Sequence, residues 1–321
     1  MAIAVLIPPQ SDAAPARRAL RLLRARLGLE LTVVPLVADD DLGDAVRRVL
    51  EGLHPRVVIA IGTDATFTAV AAALVDEPVA LAMVPTAASP LCRQLGLPDD
   101  VEGACEHVAR ACRSGHSRAV DLLRLAGHVR VEDRVVCSRI VMGRIAELDA
   151  APEGGPLARV RWGLVSLMRL FGHSTRFTID VDGEPVSVRA SSVIVANTGA
   201  VGLAGLQWAR DVAIDDGVVD VLVIRSSTVL DYAALIFGWI RGRSRRRQVL
   251  QLRARKRVAL RASRPVAVRC DGATERLATL EALVAREGLR LATPELRPVL
   301  APPDDPSPPL VPVAIPELRA S

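Results

Sequence analysis

Two apolar strands that each run into a short polar turn constrain the fold of this chain more than any other feature. Val57–Ile61 is apolar and rich in β-branched residues, which is typical of a strand buried in a parallel sheet. It leads into the turn Gly62–Thr66 (GTDAT) and a helical segment, and a second strand, Val79–Val84, leads into Pro85–Ser89 (PTAAS). Where such a turn opens a helix, free backbone N–H groups and the helix dipole favour a bound anion.

Strands and helices alternate along the first 118 residues. Besides the segments above, the apolar pattern predicts strands at 2–7 and 29–35 and helices at 14–27, 40–51 and 101–113. Such alternation predicts an α/β nucleotide-binding domain over residues 1–118, a parallel sheet with flanking helices. Ligands of these sheets bind beyond the carboxyl ends of the strands, where both polar turns lie.

From residue 119 onward the pattern changes to short alternating strands. The segments 128–136, 176–180, 186–189, 193–197, 218–224, 257–260 and 266–269 read as strands, and helical insertions are predicted at 157–170 and 229–239. Regular short strands with intervening turns predict a β-rich sandwich domain over 119–298. The proline-rich residues 299–321 have no periodicity and are predicted to be a disordered tail.

Several segments resemble, in the right order, motifs of the diacylglycerol kinase and sphingosine kinase superfamily, in particular its bacterial lipid kinases. Gly62–Thr66 resembles the family's Gly-Gly-Asp-Gly-Thr, and Pro85–Pro98 resembles its second loop, which ends in Leu-Gly-Ile-Pro. Arg118–Asp121 (RAVD) matches an Arg-x-x-Asp, and Ile214–Gly217 (IDDG) is the one intact motif. The resemblance implies an ATP- and Mg²⁺-dependent lipid kinase-like protein that phosphorylates a diacylglycerol-like or long-chain lipid alcohol.

The resemblance also implies roles for individual residues around the two turns. Asp64 would organise the metal and the phosphates, and it would share a nucleotide-binding network with Gly62, Thr63, Thr66, Thr86, Ser89 and Asp121. The residues alone leave alternatives open. Asp64 suits a helix cap or an Asx turn equally well. Asp121 suits a strand-end carboxylate that pairs with Arg118 or Arg124.

Three acidic residues, Asp215, Asp216 and Asp220, resemble a family loop that holds a structural metal ion. Clustered carboxylates are the ligands that Mg²⁺ prefers, which is consistent with that role. An ordinary β-turn rich in Asp and Gly explains the same residues, and the sequence does not separate the two.

The family's Asp-Gly-Glu triplet reads Asp271-Gly272-Ala273 in this chain. The glutamate is expected to be the base that takes the proton of the lipid hydroxyl, so Ala273 removes a group worth typically about 10²–10⁴-fold in rate. Glu275 lies two residues further on, on the same side of an extended strand, and is a substitute. Asp64, Asp271 and Glu275 are therefore the catalytic candidates.

Thr63 and Ala65 in the first turn, and Thr86, Ala87 and Ala88 in the second, stand where glycines of the family would let the backbone approach a ligand closely. The loss of these glycines and of the glutamate at position 273 leaves a second interpretation open. In it, the chain is a catalytically impaired lipid-kinase homologue that binds a lipid or a nucleotide. A third interpretation is NAD kinase or phosphofructokinase chemistry, which shares the Gly-Gly-Asp loop; the β-rich second half with its Asp-Asp-Gly loop favours the lipid branch.

Composition limits the partners and the compartment. The net charge of +5 comes almost entirely from arginine, and a basic chain suits an anionic phospholipid surface. Residues 229–247 join an apolar segment to an arginine cluster and predict a peripheral membrane contact, with a core-facing helix as the alternative. No aromatic interleaving or known module indicates nucleic-acid binding. Five scattered cysteines predict reduced thiols in a cytoplasmic protein, peripheral at most to the inner membrane face, and the sequence leaves room for a homodimer.

Overall fold

The computed structural model of the protein describes residues 3–7, 13–28, 31–35, 41–126, 135–148, 174–197, 214–225, 249–271 and 273–294. Its helices are α1 Ala13–Leu27, α2 Leu42–Leu53, α3 Asp64–Ala73, α4 Pro90–Gln94, α5 Val101–Ser114 and α6 Arg144–Leu148. Its strands are β1 Ile3–Ile7, β2 Leu31–Pro35, β3 Val57–Gly62, β4 Ala80–Pro85, β5 Ser117–Ala126, β6 Val135–Val136, β7 Arg139–Gly143, β8 Thr175–Val181, β9 Glu184–Ala190, β10 Ser192–Ala196, β11 Val219–Ile224, β12 Val249–Ala254, β13 Arg257–Cys270 and β14 Ala273–Ala292. The predicted insertions at 157–170 and 229–239, the arginine cluster that ends at 247 and the tail at 299–321 lie outside the described residues.

The first half of the chain forms the predicted parallel sheet, and its strand order is β2-β1-β3-β4. Every residue of β3 and β4 is buried, because helices cover both faces of the sheet. Helices α1 and α5 pack on one face, and α2 and α3 pack on the other. Gly62 lies opposite Pro85 in the β3–β4 register, so the two polar turns begin at the same edge of the sheet.

The second half is built from antiparallel strands and confirms the predicted β-rich sandwich-like half. The order β4-β14-β13-β7-β10-β11-β12 extends the first sheet, while the β8–β9 hairpin pairs with β13 and the β5–β6 pair joins β14. Apolar side chains from β5, β8, β10, β11, β13 and β14 face one another and form the second core. The α6 helix packs on the opposite face of β7 and β10.

The twenty-residue strand β14 connects the two halves, and only the extended backbone near Glu275 at its start was expected from the sequence. β14 pairs with β13 and β5 as an antiparallel strand, and near its end Arg290 and Leu291 pair with Ala80 and Leu81 of β4 in parallel. The predicted strands at 257–260 and 266–269 are parts of one strand, β13, with an irregularity between Arg261 and Val266. None of the helices among the described residues is long and apolar enough to cross a membrane.

The five cysteines are buried thiols that form no disulfide with one another, and this has a measurable consequence. Burial raises the pKa of the Cys92 and Cys105 thiols to about 11 and raises that of Cys137 well above its usual range. Since the thiolate is the reactive form, we expect a disulfide-exchange reagent at pH 8 to react only slowly with the native protein and with five thiols after denaturation. Fast stoichiometric labelling of the native protein would contradict the buried positions.

Candidate functional site

The two polar turns form one compact edge above β3 and β4. Thr86 donates its backbone N–H to the carbonyl of Gly62 at 2.9 Å, which holds the second turn against the first. A Cβ on Gly62 would lie 2.5 Å from Oγ1 of Thr66, so only glycine allows the threonine to fold back here. That Oγ1 accepts the backbone N–H of Thr63 at 3.3 Å. The structure thus brings together Gly62, Thr63 and Thr66 of the predicted site.

Asp64 ties the second turn to the start of α3. Thr63 is the N-cap and Asp64 is the first helical residue, so the alternative of Asp64 as the cap is wrong. Instead, Oδ1 of Asp64 accepts the hydroxyl of Ser89, and Oδ2 accepts the backbone N–H of Leu91 at 3.2 Å. The buried Ser89 also caps α4 by accepting the backbone N–H of Cys92 at 3.0 Å. A half-exposed carboxylate therefore stands between the two turns.

The residues that replace family glycines in these turns cause no backbone strain. Thr63 has φ −100°, an extended value that any residue adopts. Ala65, Thr86, Ala87 and Ala88 are likewise outside the set of residues with positive φ. Thr63, Ala65, Ala87 and Ala88 are exposed, so their side chains stand at the surface where a ligand would approach. The two turns therefore accommodate side chains in place of glycine without backbone strain.

Asp271 is anchored inside the molecule. It occupies a two-residue hairpin between β13 and β14, with φ 41°, while Cys270 pairs with Ala273. Its carboxylate accepts the backbone N–H of Cys137 at 2.6 Å and of Arg139 at 3.2 Å, and the hydroxyl of Ser138 at 2.5 Å. Burial raises the pKa of this carboxyl, and the hydrogen bonds oppose the shift. The carboxylate of Asp271, a predicted catalytic group, therefore stabilises the turn between β6 and β7 through these hydrogen bonds.

The turn at Cys137 brings the two halves of the predicted site close together. The pKa of the Cys137 thiol is raised first by burial and then by the negative charges of Asp271 and Asp64. Cys137 also packs in the apolar cluster that contains Phe67 of α3 and Leu91 of α4, so the turn that holds Asp271 lies beside the two helices that Asp64 joins. Glu275, the other catalytic candidate, is half-buried on β14 and pairs with Val268 in register. Its catalytic role stays a prediction.

Asp121 fastens three segments around its buried carboxylate, which is 2% exposed. One oxygen accepts the backbone N–H of Gly217 at 2.6 Å, and the other accepts that of Glu287 at 2.8 Å. Glu287 has φ 49° and sits at an irregularity of β14, so the carboxylate fixes both the 214–217 turn and this bend. Gly217 has φ 67°, which favours glycine.

The predicted ion pair between Asp121 and a neighbouring arginine is wrong. Arg118 pairs with Asp215 at 2.8 Å, and Arg124 pairs with Asp76. Both arginines lie on the same strand as Asp121 but form ion pairs with more exposed carboxylates. The buried carboxylate of Asp121 already accepts two backbone N–H groups and needs no arginine.

The three predicted metal ligands do not converge. Each carboxylate accepts a hydrogen bond from within the chain: Asp215 from Arg118 Nε at 3.0 Å, Asp216 from the backbone N–H of Val218 at 2.9 Å, and Asp220 from Gln251 Nε2 at 2.7 Å. Burial, followed by the charges of Asp121 and Asp220, raises the pKa of Asp216. No group of three His, Cys, Asp or Glu side chains in the described part of the chain is arranged to hold a metal ion. Residues 214–217 form a turn, and the metal-holding role of the three carboxylates stays a prediction.

Sequence reasoning missed the Cys137–Arg139 turn and the role of Asn197. The Asn197 side chain is 1% exposed and donates through Nδ2 to the carbonyls of Asp121 at 2.6 Å and Cys137 at 3.1 Å. Among the residues that the structure describes, its Oδ1 finds no hydrogen-bond partner. An asparagine at the end of an apolar strand was the available signal, since a buried amide needs polar partners.

Comparisons with known proteins match two parts of the chain to family models. Residues 2–125 match the diacylglycerol kinase catalytic domain, and residues 154–293 match the YegS C-terminal NAD kinase beta sandwich-like domain. An uncharacterised protein of Synechocystis sp., sll0036, is 24% identical over 227 residues, which are 65% of this chain and 49% of that relative. The alignment thus spans about half the length of this curated relative.

Two crystal structures of Bacillus anthracis proteins share the fold across the chain. One, of a candidate diacylglycerol kinase, superposes with a TM-score of 0.71 at 16% identity and covers 94% of this chain and 98% of its own. The other, of a diacylglycerol kinase, gives a TM-score of 0.67 at 16% identity, with the same coverage. At this identity the likeness concerns the fold.

Proposed function

Since the chain belongs to the diacylglycerol kinase superfamily of lipid kinases, we propose that it binds ATP with Mg²⁺ at the paired turns and phosphorylates a lipid alcohol. The observation that carries the proposal is the position of Asp64. Its carboxylate stands at the N-terminus of α3 and joins the two turns at the carboxyl edge of the sheet. The acceptor would be a diacylglycerol-like or long-chain alcohol.

The groups around the turns fit a nucleotide in their chemistry. The N-terminus of α3 favours phosphate, and the exposed Thr63 and half-exposed Thr86 offer hydroxyl donors beside it. Each Asp64 oxygen accepts one hydrogen bond within the chain and keeps a lone pair, so the carboxylate retains an acceptor for a hard cation. Bound Mg²⁺ would supply the charge that compensates both this carboxylate and the phosphates.

The remaining predicted residues support the turns. Asp121 is a positioning residue, because both of its oxygens hold backbone N–H groups of the chain. Ser89 is buried and acts through Asp64 and α4. The acceptor hydroxyl needs a proton acceptor, and Glu275, half-buried near the start of β14, is the carboxylate that we propose for that role.

A specific observation also favours a second function, that of a catalytically impaired homologue that binds a lipid or a nucleotide. Position 273, two residues after the anchored Asp271, carries alanine. A protein of this kind would bind ATP without forming a lipid product. The match of residues 2–125 to the diacylglycerol kinase catalytic domain supports lipid rather than NAD kinase chemistry in either case.

Calorimetric titration with ATP, with Mg²⁺ and with EDTA, tests the nucleotide site. For the unchanged protein we expect Mg²⁺-dependent binding, because the Asp64 charge repels phosphate until a cation lies between them. Asp64→Asn keeps the size of the side chain and removes that charge, so its ATP affinity in Mg²⁺ should fall by roughly tenfold, or about 1.4 kcal/mol. Its affinity should also differ little between Mg²⁺ and EDTA.

Asp44→Asn is the matched control, because Asp44 is an exposed carboxylate in the first turn of another helix, α2. It should leave both titrations unchanged. The absence of ATP binding by the unchanged protein at millimolar nucleotide would overturn the proposed site. If ATP binds and a broad lipid panel yields no phosphorylated product, the second function holds.

A further inference from the structure

One face of α1 carries an arginine stripe formed by Arg17, Arg21 and Arg24. The helix has five arginines among its fifteen residues and no acidic residue. The three arginines of the stripe are exposed, and their spacing of four and three residues places them within an arc of roughly 60°. Ala16, Ala19 and Leu23 are buried on the opposite side, so the stripe is the outward face of the helix.

The two other arginines of α1 are neutralised by α5. Arg18 pairs with Glu102, and Arg26 pairs with Glu106 at 2.9 Å, and these contacts hold the two helices side by side. No acidic group in the described part of the chain pairs with the stripe. By contrast, α2 balances its two arginines with Asp44 and Glu51. Among the described residues, the arginine stripe therefore carries positive charge that no carboxylate balances, unlike the arginines of α2.

The stripe begins at the edge of the sheet that carries the paired turns. β1 runs parallel to β3, so α1, which follows β1, starts at the same edge as the turn that contains Asp64. From Arg17 to Arg24 the stripe extends about 10 Å along the helix. A flat surface that contacts the stripe would lie beside the proposed phosphate site.

We propose that the arginine stripe docks the protein on an anionic phospholipid surface. Guanidinium groups donate paired hydrogen bonds to phosphate oxygens, and a row of them on one straight helix matches the headgroup plane of a bilayer. Near such a surface each arginine is worth about 1 kcal/mol. The helix has no aromatic residue on which bases would stack, which favours lipid over single-stranded nucleic acid. The proposal deepens the proposed function, because docking would bring the nucleotide site to its lipid substrate.

Sedimentation with vesicles of phosphatidylcholine, with or without phosphatidylglycerol, tests the docking surface. We expect the unchanged protein to bind only vesicles that contain phosphatidylglycerol, and less so as salt rises. A triple variant, Arg17→Gln, Arg21→Gln and Arg24→Gln, should bind them about 100-fold more weakly, since each arginine contributes roughly fivefold.

A matched triple variant, Arg176→Gln, Arg261→Gln and Arg264→Gln, removes the same charge from exposed positions on β8 and β13. It should bind the vesicles as the unchanged protein does. An equal loss in both triple variants, equal binding of the unchanged protein to neutral vesicles, or stronger binding to single-stranded RNA than to the anionic vesicles would each overturn the proposal. ATP titration of the first variant should match that of the unchanged protein, so failure of the nucleotide site and failure of docking are told apart.

Discussion

Replacing Ala273 by glutamate is expected to raise ATP-dependent phosphorylation of a lipid alcohol by about 10²–10⁴-fold, the usual value of a positioned general base. Position 273 opens β14 two residues after the anchored Asp271 and pairs with Cys270 across the hairpin. The Cys137 turn that holds Asp271 packs with Phe67 of α3 and Leu91 of α4, so a carboxylate on this hairpin would lie near the proposed phosphate site. Transfer of labelled phosphate from ATP to a panel of lipid alcohols measures the effect.

Thr274→Glu is the control for this gain, because it adds the same charge one residue further along β14, at an exposed position. It should leave the rate unchanged. Glu275→Gln separates the two candidate bases: it should abolish the activity of the unchanged protein if Glu275 is the base, and it should leave Ala273→Glu active. If Ala273→Glu binds ATP and gives no increase, a missing base is not what limits this protein.

Replacing Asp271 by alanine is expected to lower the free energy of unfolding by about 3–5 kcal/mol, one of the largest effects that a single substitution can have. The change leaves the backbone N–H groups of Cys137, Ser138 and Arg139 without their acceptor in a buried place. Each such orphaned donor costs about 1–3 kcal/mol. Urea denaturation followed by circular dichroism measures the loss.

Asp182 provides a matched control at another hairpin. It also has positive φ, at 54°, and its carboxylate accepts the backbone N–H groups of Arg255, Lys256 and Arg257, all at 2.7–2.8 Å. Because this carboxylate is exposed, water replaces it in Asp182→Ala, and the expected loss is smaller, about 1 kcal/mol. Equal losses in the two variants would mean that burial of the Cys137 turn is not what makes Asp271 important.

The strands and turns of the first half could be predicted from the sequence for a physical reason. Strands covered by helices on both faces must be apolar throughout, and β3 and β4 show this as continuous runs that end at polar turns. The shared edge of the turns follows from parallel pairing alone. The link between Asp64 and Ser89 does not, because it depends on where the second turn folds after it leaves β4.

The second half was harder to predict from the sequence, because its strands and buried carboxylates are stabilised by backbone groups that are distant in sequence. β14 is rich in Ala, Leu, Glu and Arg, which favour helix, and only pairing on both of its edges makes it a strand. The ion pair expected for Asp121 used arginines that are close in sequence. Its actual donors are the backbone N–H groups of Gly217 and Glu287, which carry no side-chain signature.

The parallel pairing of β14 with β4 affects how the protein is made. When the first 125 residues have left the ribosome, β4 and β5 have been made but β14, which pairs with both of them, has not. The nascent chain therefore carries an open sheet edge through the synthesis of nearly the whole second half, the stage at which edges recruit foreign strands. Chaperones that shield such edges would have to act until Leu291 of β14 pairs with Leu81 of β4. The edge of the first half is therefore protected from aggregation only after the second half has been synthesised.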